Sequence, residues 1–308
     1  MTGFSNRSLQ LTDSLRKAGA ALAAGCTVVI KSPAETPFSV NAIVELANRA
    51  GIPPGVINVV TALSNTVEVV HTLTSSRLVH KISFTGSTYV GKILMQQCAE
   101  TTLKKVSLEL GGNAPFIVFK DADIDAAVAG AIFCKFRSSG QTCVSANRIF
   151  VHDDVYDEFA TKLADRARNS FVVGDSLTKA GVTHGPLVHG RALEKVREHV
   201  ADALSHGAKV LIGGKPIPHL GPNFFEPTVL TEVTTEMRIA HDETFGPVAA
   251  LFRFRSEREV VEIANNTEMG LAGYFYSNDI QRIWRVARAL QVGMVGVNTS
   301  MISDPAAP

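Results

Sequence analysis

Val106-Ser107-Leu108-Glu109-Leu110-Gly111-Gly112-Asn113 is a β-branched and leucine-rich run that stops on a pair of glycines. Such a run has strand chemistry, and the glycines give the backbone conformations closed to other residues. It is the last of a series. Upstream, a strand over 80–84 passes through Thr85-Gly86-Ser87 into a helix over 89–100. Before that, Pro53-Pro54-Gly55 turns into a strand over 56–60, with a helix around 67–73. The first strand, 27–30, precedes a helix over 38–50 that sets Val40, Ile43, Val44 and Ala47 on one face and has Gly51 just past its end. Strands alternating with helices make a parallel sheet with right-handed crossovers, so the fold class is α/β. In such sheets ligands gather at the carboxyl ends of strands, where Lys31, Gly86 and Glu109 all fall.

Downstream the alternation continues without repeating the sequence. Helices are expected over 123–136, 153–171, 191–206 (closed by Gly207), 257–266 and 279–290. Strands are expected over 148–151, 209–212, 227–230, 248–252, 272–276 and 294–298. No internal repeat or low-complexity linker marks a boundary. It is therefore placed at the Gly111-Gly112 hinge, giving domains 1–111 and 112–308.

With 308 residues and 45% hydrophobic content the chain can bury a large core. Thirty basic residues against twenty-nine acidic ones, with no Lys/Arg run, leave no electrostatic footprint for nucleic acid. Cys26, Cys98, Cys134 and Cys143 are far apart and form no C-x-x-C pair. That argues against a disulfide framework and a zinc site, and it suits a reducing compartment. The nine histidines form no H-x-x-x-H pair, so no metal is expected. Residues 1–13 carry neither a secretory nor a transit pattern, and the apolar stretch 18–30, broken by Gly19 and Gly25, is too short to span a bilayer. A cytoplasmic protein with no membrane partner is the expectation.

The second informative string is Phe136-Arg137-Ser138-Ser139-Gly140-Gln141-Thr142-Cys143. A thiol is a good nucleophile only as thiolate, and it needs a base or a positive field to become one. Glu109 is the candidate base. A cysteine hydrolase would need a histidine partner placed as a dyad and has no use for the other motifs. Together the two strings resemble the aldehyde dehydrogenase superfamily. The resemblance implies a partial Rossmann-type cofactor domain over 1–111 and an α/β catalytic domain over 112–308. It makes Cys143 the nucleophile and Glu109 the general base. It places Lys31 on the adenosine ribose, Gly86 and Ser87 in the phosphate-facing turn, Glu243 on the nicotinamide ribose and Phe245 beside the nicotinamide ring. The helix start after Gly86 is itself an anion site, since it offers N–H groups and a positive dipole end. NAD-preferring relatives often carry a Glu three residues after the lysine; Ala34 stands there and Glu35 follows, so NAD or NADP stays open.

Within the superfamily the strings 135–143, 273–276 and 293–298 look most like succinate-semialdehyde dehydrogenases, the fungal ones in particular. Arg16, Arg137 and Ser303 match positions that clamp the substrate carboxylate there, a task suited to the guanidinium fork. Ser145 stands where some members carry a second, redox-active cysteine. The pattern departs at Ser8, which falls where the family has an oxyanion-stabilising Asn. The family's further N-terminal strands and its C-terminal oligomer strand are also not found, so a form truncated at both ends is expected. Full-length relatives are homo-oligomeric. Two functions follow from the resemblance: NAD(P)-dependent oxidation of succinate semialdehyde to succinate in 4-aminobutyrate breakdown, or an inactive remnant serving as a binding or interaction module.

Overall fold

The computed structural model describes residues 7–303, with side chains from residue 15 onward. The Ser8 side chain and Asp304 and Pro305 at the C-terminus lie outside the described residues. The chain divides between Gly111 and Gly112 into two compact units.

The first unit runs α1 (Arg7–Ala23), β1 (Val28–Lys31), α2 (Pro37–Arg49), β2 (Ile57–Val60), α3 (Thr66–Ser75), β3 (Lys81–Thr85), α4 (Thr88–Thr101) and β4 (Lys105–Glu109). β1 pairs parallel with β2, and β3 pairs parallel with β4. Each pair is a β-α-β unit with its own crossover helix. The alternation predicts one parallel sheet, yet among the described residues the pairs form two separate two-stranded sheets. The pattern of strand, helix and strand specifies each crossover, but not which unit lies beside which. Local starts are well made. Pro37 opens α2, where its missing N–H costs nothing, and the Ser87 hydroxyl caps α4 by accepting from the Val90 N–H.

The second unit runs β5 (Ala114–Val118), α5 (Ile124–Phe136), β6 (Ala146–His152), α6 (Tyr156–Ser170), α7 (Gly190–Ser205), β7 (Lys209–Ile212), β8 (Thr228–Val233), α8 (Arg238–His241), β9 (Val248–Phe254), α9 (Glu257–Asn265), β10 (Ala272–Tyr276), α10 (Ile280–Ala289) and β11 (Met294–Val297). Seven strands form one sheet in the order β11-β10-β5-β6-β9-β8-β7, parallel except where β7 meets β8. Its middle strands are buried on both faces, which is why they read as unbroken apolar runs. Side chains still alternate. Phe116, Val118, Ile149, Val151 and Leu251 join one core cluster, while Ile117, Phe119, Phe150, Ala250 and Phe252 join the other.

The helix expected over 153–171 is shorter. A 3-10 turn at Asp153–Val155 precedes α6, because the His152 ring accepts from the Asp154 N–H and so caps the turn. Arg148, on β6, is buried and donates to the carbonyls of Asn113, Ile263 and Ala264 at 3.0, 3.1 and 2.8 Å. It thereby ties the segment leading into β5 to the end of α9.

Candidate active site

α5 ends at Phe136, and the backbone then enters a short turn in which Ser138, Ser139 and Gly140 have φ of 53, 56 and 72°. A non-glycine residue in this left-handed region costs roughly 1–2 kcal/mol. Side chains hold the turn. The Ser139 hydroxyl donates to Gly185 O at 3.0 Å. Buried Gln141 donates through Nε2 to Ser138 O and Pro186 O, and its Oε1 accepts from the Val188 N–H at 2.9 Å. Cys143 follows, half-buried.

Gly112 is the junction of the site. Its N–H donates to Glu243 Oε1 at 3.0 Å, and a Cβ on it would lie 2.0 Å from the carbonyl oxygen of Cys143. Only glycine admits that approach. Gly140 repeats the device, since a Cβ there would lie 2.1 Å from Gly246 O. Asn113 Nδ2 donates to Ala240 O and His241 O, so the 111–113 segment, the Cys143 turn and the 240–247 loop are locked together. Burial pushes the Glu243 carboxyl up, against the Gly112 N–H and the charges of Lys195 and Lys135. Next to it, Thr244 meets the His199 ring at 3.1 Å, and burial drives that imidazole down to about 4. Phe245 is half-buried with φ of 52°.

The first unit holds the other expected residues. Lys31 ends β1, half-buried, and the neighbouring Ser32 hydroxyl is buried with no hydrogen-bond partner among the described residues. Ala34 is half-buried and Glu35 is exposed. The Gly86 N–H is spent on Glu109 O at 3.0 Å, and Ser87 is spent as the helix cap. The free amides of this turn are those of Thr88 and Tyr89, which in the first turn of α4 have no intrahelical acceptor. Glu109 ends β4 with an exposed side chain, in register with Thr85. The Lys17 ammonium donates to the Thr85 hydroxyl and so brings a cation to the same face.

Arg16 is exposed on α1 in the first unit. Arg137 is exposed in the second, its guanidinium 5.2 Å from the centre of the Phe133 ring, and no carboxylate among the described residues pairs with it. Ser303 is exposed and follows Ile302, which packs against the cluster holding Phe136 and Tyr274. Among the described residues no group of three or more His, Cys, Asp or Glu side chains could hold a metal, and no helix is long and apolar enough to cross a membrane.

The model of the aldehyde dehydrogenase family matches residues 9–308. The chain belongs to that family. It is 58% identical over 293 residues to the glutarate-semialdehyde dehydrogenase of Pseudomonas putida, a match covering 95% of this chain and 59% of that protein. It is 56% identical to the NADP(+) succinate-semialdehyde dehydrogenase of Escherichia coli, covering 95% and 60%. The crystal structure of an NADP-dependent enzyme of E. coli superposes with a TM-score of 0.91 at 56% identity, over 95% of this chain and 60% of that one. The fold is that of an aldehyde dehydrogenase, and the chain spans about three fifths of the length of these relatives.

Sequence reasoning missed Gln141, Asn147, Lys135 and Lys17. The cue for Lys135 was there: a lone cation between Cys134 and Phe136 in an otherwise apolar helical stretch.

Proposed function

We propose that the chain carries the nicotinamide-dependent oxidation of a short aldehyde ending in a carboxylate, with succinate semialdehyde as substrate and Cys143 as nucleophile. The observation that carries this reading is the Gly112 junction. There the backbone of the nucleophile and the carboxylate assigned to the cofactor ribose meet on one residue. Both relatives named above act on aldehydes whose far end is a carboxylate, as their names state. Arg137, exposed and backed by the Phe133 ring, suits that end.

The residues fit the cofactor. Lys31, the amides of Thr88 and Tyr89, Glu243 and Phe245 would hold it, and the orphaned Ser32 hydroxyl beside Lys31 is a buried donor without a partner. With Ala34 rather than a carboxylate beside it and Glu35 exposed, a 2′-phosphate is not repelled, so NADP suits the site. When bound, the nicotinamide accepts the hydride from the substrate carbon. Cys143 supplies the thiolate that adds to the aldehyde carbon, and in this reading its own N–H is a donor for the developing oxyanion. Oxidation leaves a thioester on Cys143. Exposed Glu109 takes a proton from water, which hydrolyses the thioester to the acid and returns the thiol. Arg16 and Ser303 complete the substrate clamp in this reading.

The test is absorbance at 340 nm with succinate semialdehyde, glutarate semialdehyde and an uncharged aldehyde, each with NAD and NADP. Turnover that vanishes in Cys143→Ala is expected; turnover that survives it, or none with any substrate while nucleotide still binds, would overturn the assignment.

A further inference from the structure

Lys135 sits at the end of α5 with no exposed surface. Nothing in the reaction above uses it. Its Nζ donates to Asn147 Oδ1 at 2.9 Å, and Asn147 Nδ2 in turn donates to Gly112 O at 3.1 Å. The other side of Gly112, its N–H, donates to Glu243 Oε1. These contacts form one chain: Lys135, Asn147, Gly112, Glu243.

We propose that Lys135 is a positioning residue, whose ammonium fixes the Asn147 amide so that Asn147 holds the Gly112 peptide for Glu243 and the Cys143 turn. This rests on the reading of Glu243 as a cofactor ligand. The argument is one of donors and acceptors. In its ammonium form Lys135 can only donate, so it holds Asn147 with Oδ1 toward it and Nδ2 toward Gly112, as the two hydrogen bonds show. Without that constraint the amide can rotate by half a turn and set its oxygen against the Gly112 carbonyl. Gly112 has no side chain to hold its own dihedral angles, so its orientation depends on the two hydrogen bonds at its ends. Burial lowers Lys135 to about 7, and the attraction of Glu243 and of Cys134 opposes this fall. The same attraction, with that of Lys195, favours the charged form of Glu243. The attraction between the lysine and the carboxylate at the two ends of the chain thus opposes the burial that disfavours the charge of each.

Two variants test the proposal. Lys135→Met removes the donor at similar length. Asn147→Asp keeps an acceptor for Lys135 and makes a buried ion pair with it, but places a second oxygen against Gly112 O. The readout is amide exchange at Gly112, measured residue by residue in the full 308-residue chain, alongside NADPH titration by fluorescence. In both variants the Gly112 amide is expected to exchange about tenfold faster, as for loss of one hydrogen bond. If Lys135→Met does not fold, Asn147→Asp decides alone. Unchanged Gly112 exchange in folded Asn147→Asp would overturn the proposal, because a lysine needing only a buried partner is satisfied by that aspartate. NADPH binding weakened in the variants supports the link to the cofactor. A chain that binds no NADPH even unaltered refutes the functional reading, while the exchange result still judges the positioning.

Discussion

Gly112→Ala perturbs the junction with a single methyl group. Its φ is not in the left-handed region, so alanine strains no dihedral angle there. Two effects favour the alanine: burial of one carbon, about 0.8 kcal/mol, and a less flexible unfolded chain, about 0.4–1 kcal/mol. Against them stands the Cys143 carbonyl oxygen at 2.0 Å, which must retreat by about 1.4 Å to reach the 3.4 Å of an ordinary contact. That oxygen is backbone and cannot swing away. Forcing a packed site apart costs about 1–3 kcal/mol, and loosening the bond from Gly112 N–H to Glu243 costs about 0.5–3 kcal/mol more. The clash wins at the middle of these ranges, with a net loss of about 2 kcal/mol and at most about 5, or about 4–8 °C in Tm at the central value for a unit of this size. Misplacing a reacting group by about 1 Å also costs on the order of 10² in rate. Thermal unfolding and turnover at 340 nm read the two effects. The molecule holds its own controls. A Cβ at Gly86 meets the Phe84 ring at 2.4 Å, a side chain free to rotate, so Gly86→Ala costs less. Gly19, inside α1 with nothing within 4 Å, gains stability on becoming alanine, by about 0.5–1 kcal/mol. A Gly112→Ala protein as stable and as active as the unaltered chain would refute the reasoning.

Glu109→Gln is expected to slow thioester hydrolysis more than hydride transfer, so a pre-steady-state burst of NADPH survives ahead of slow turnover; a lost burst with no acyl-enzyme on Cys143 contradicts the role. Arg137→Ala is expected to raise KM for succinate semialdehyde by the loss of a charge-assisted pair, about 1.5–3 kcal/mol, and to spare an uncharged aldehyde of the same length; equal losses on both would make Arg137 structural. Burial lowers both His184 and His199 from 6.5 to about 4. The unfolded chain therefore binds more protons between those values, and stability present above pH 6.5 is lost as pH falls toward 4. His184→Gln with His199→Gln is expected to flatten that slope in thermal unfolding; a slope left unchanged shows that other groups carry it.

The β-α alternation was legible because its elements are short, apolar and punctuated by Gly and Pro. Three elements escaped, one of them α8, whose four residues are too few to show a period. β5, at the heart of the seven-stranded sheet, contains Pro115, and proline argues against a central strand. The structure resolves this with a shift of register between Ala114 and Pro115, so that the proline sits at an irregularity at the start of the strand. α1 escaped because residues 18–30 run apolar from helix into strand, and periodicity alone does not find the break. The break is Gly25, with φ of 75°, where the Cys26 N–H returns to Ala21 O at 2.9 Å and closes the helix.

At the site, motifs pointed to the residues proposed to meet substrate or cofactor, because their chemistry is written in residue type. What holds those residues in place was not legible. The Cys143 turn carries two serines in the left-handed region, at roughly 1–2 kcal/mol each. Such strain persists only where partners over-determine it. The partners of Ser139 and Gln141 are Gly185, Pro186 and Val188, more than forty residues downstream, in a loop with no motif of its own. Each neutral hydrogen bond there contributes about 0.5–1.5 kcal/mol, so together they offset the strain with little to spare. The geometry of the Cys143 turn therefore depends on the 185–188 loop as much as on its own string. The same separation hid Lys135, since its effect on Glu243 passes through Asn147 and Gly112, which are remote from each other in sequence and adjacent only in the fold.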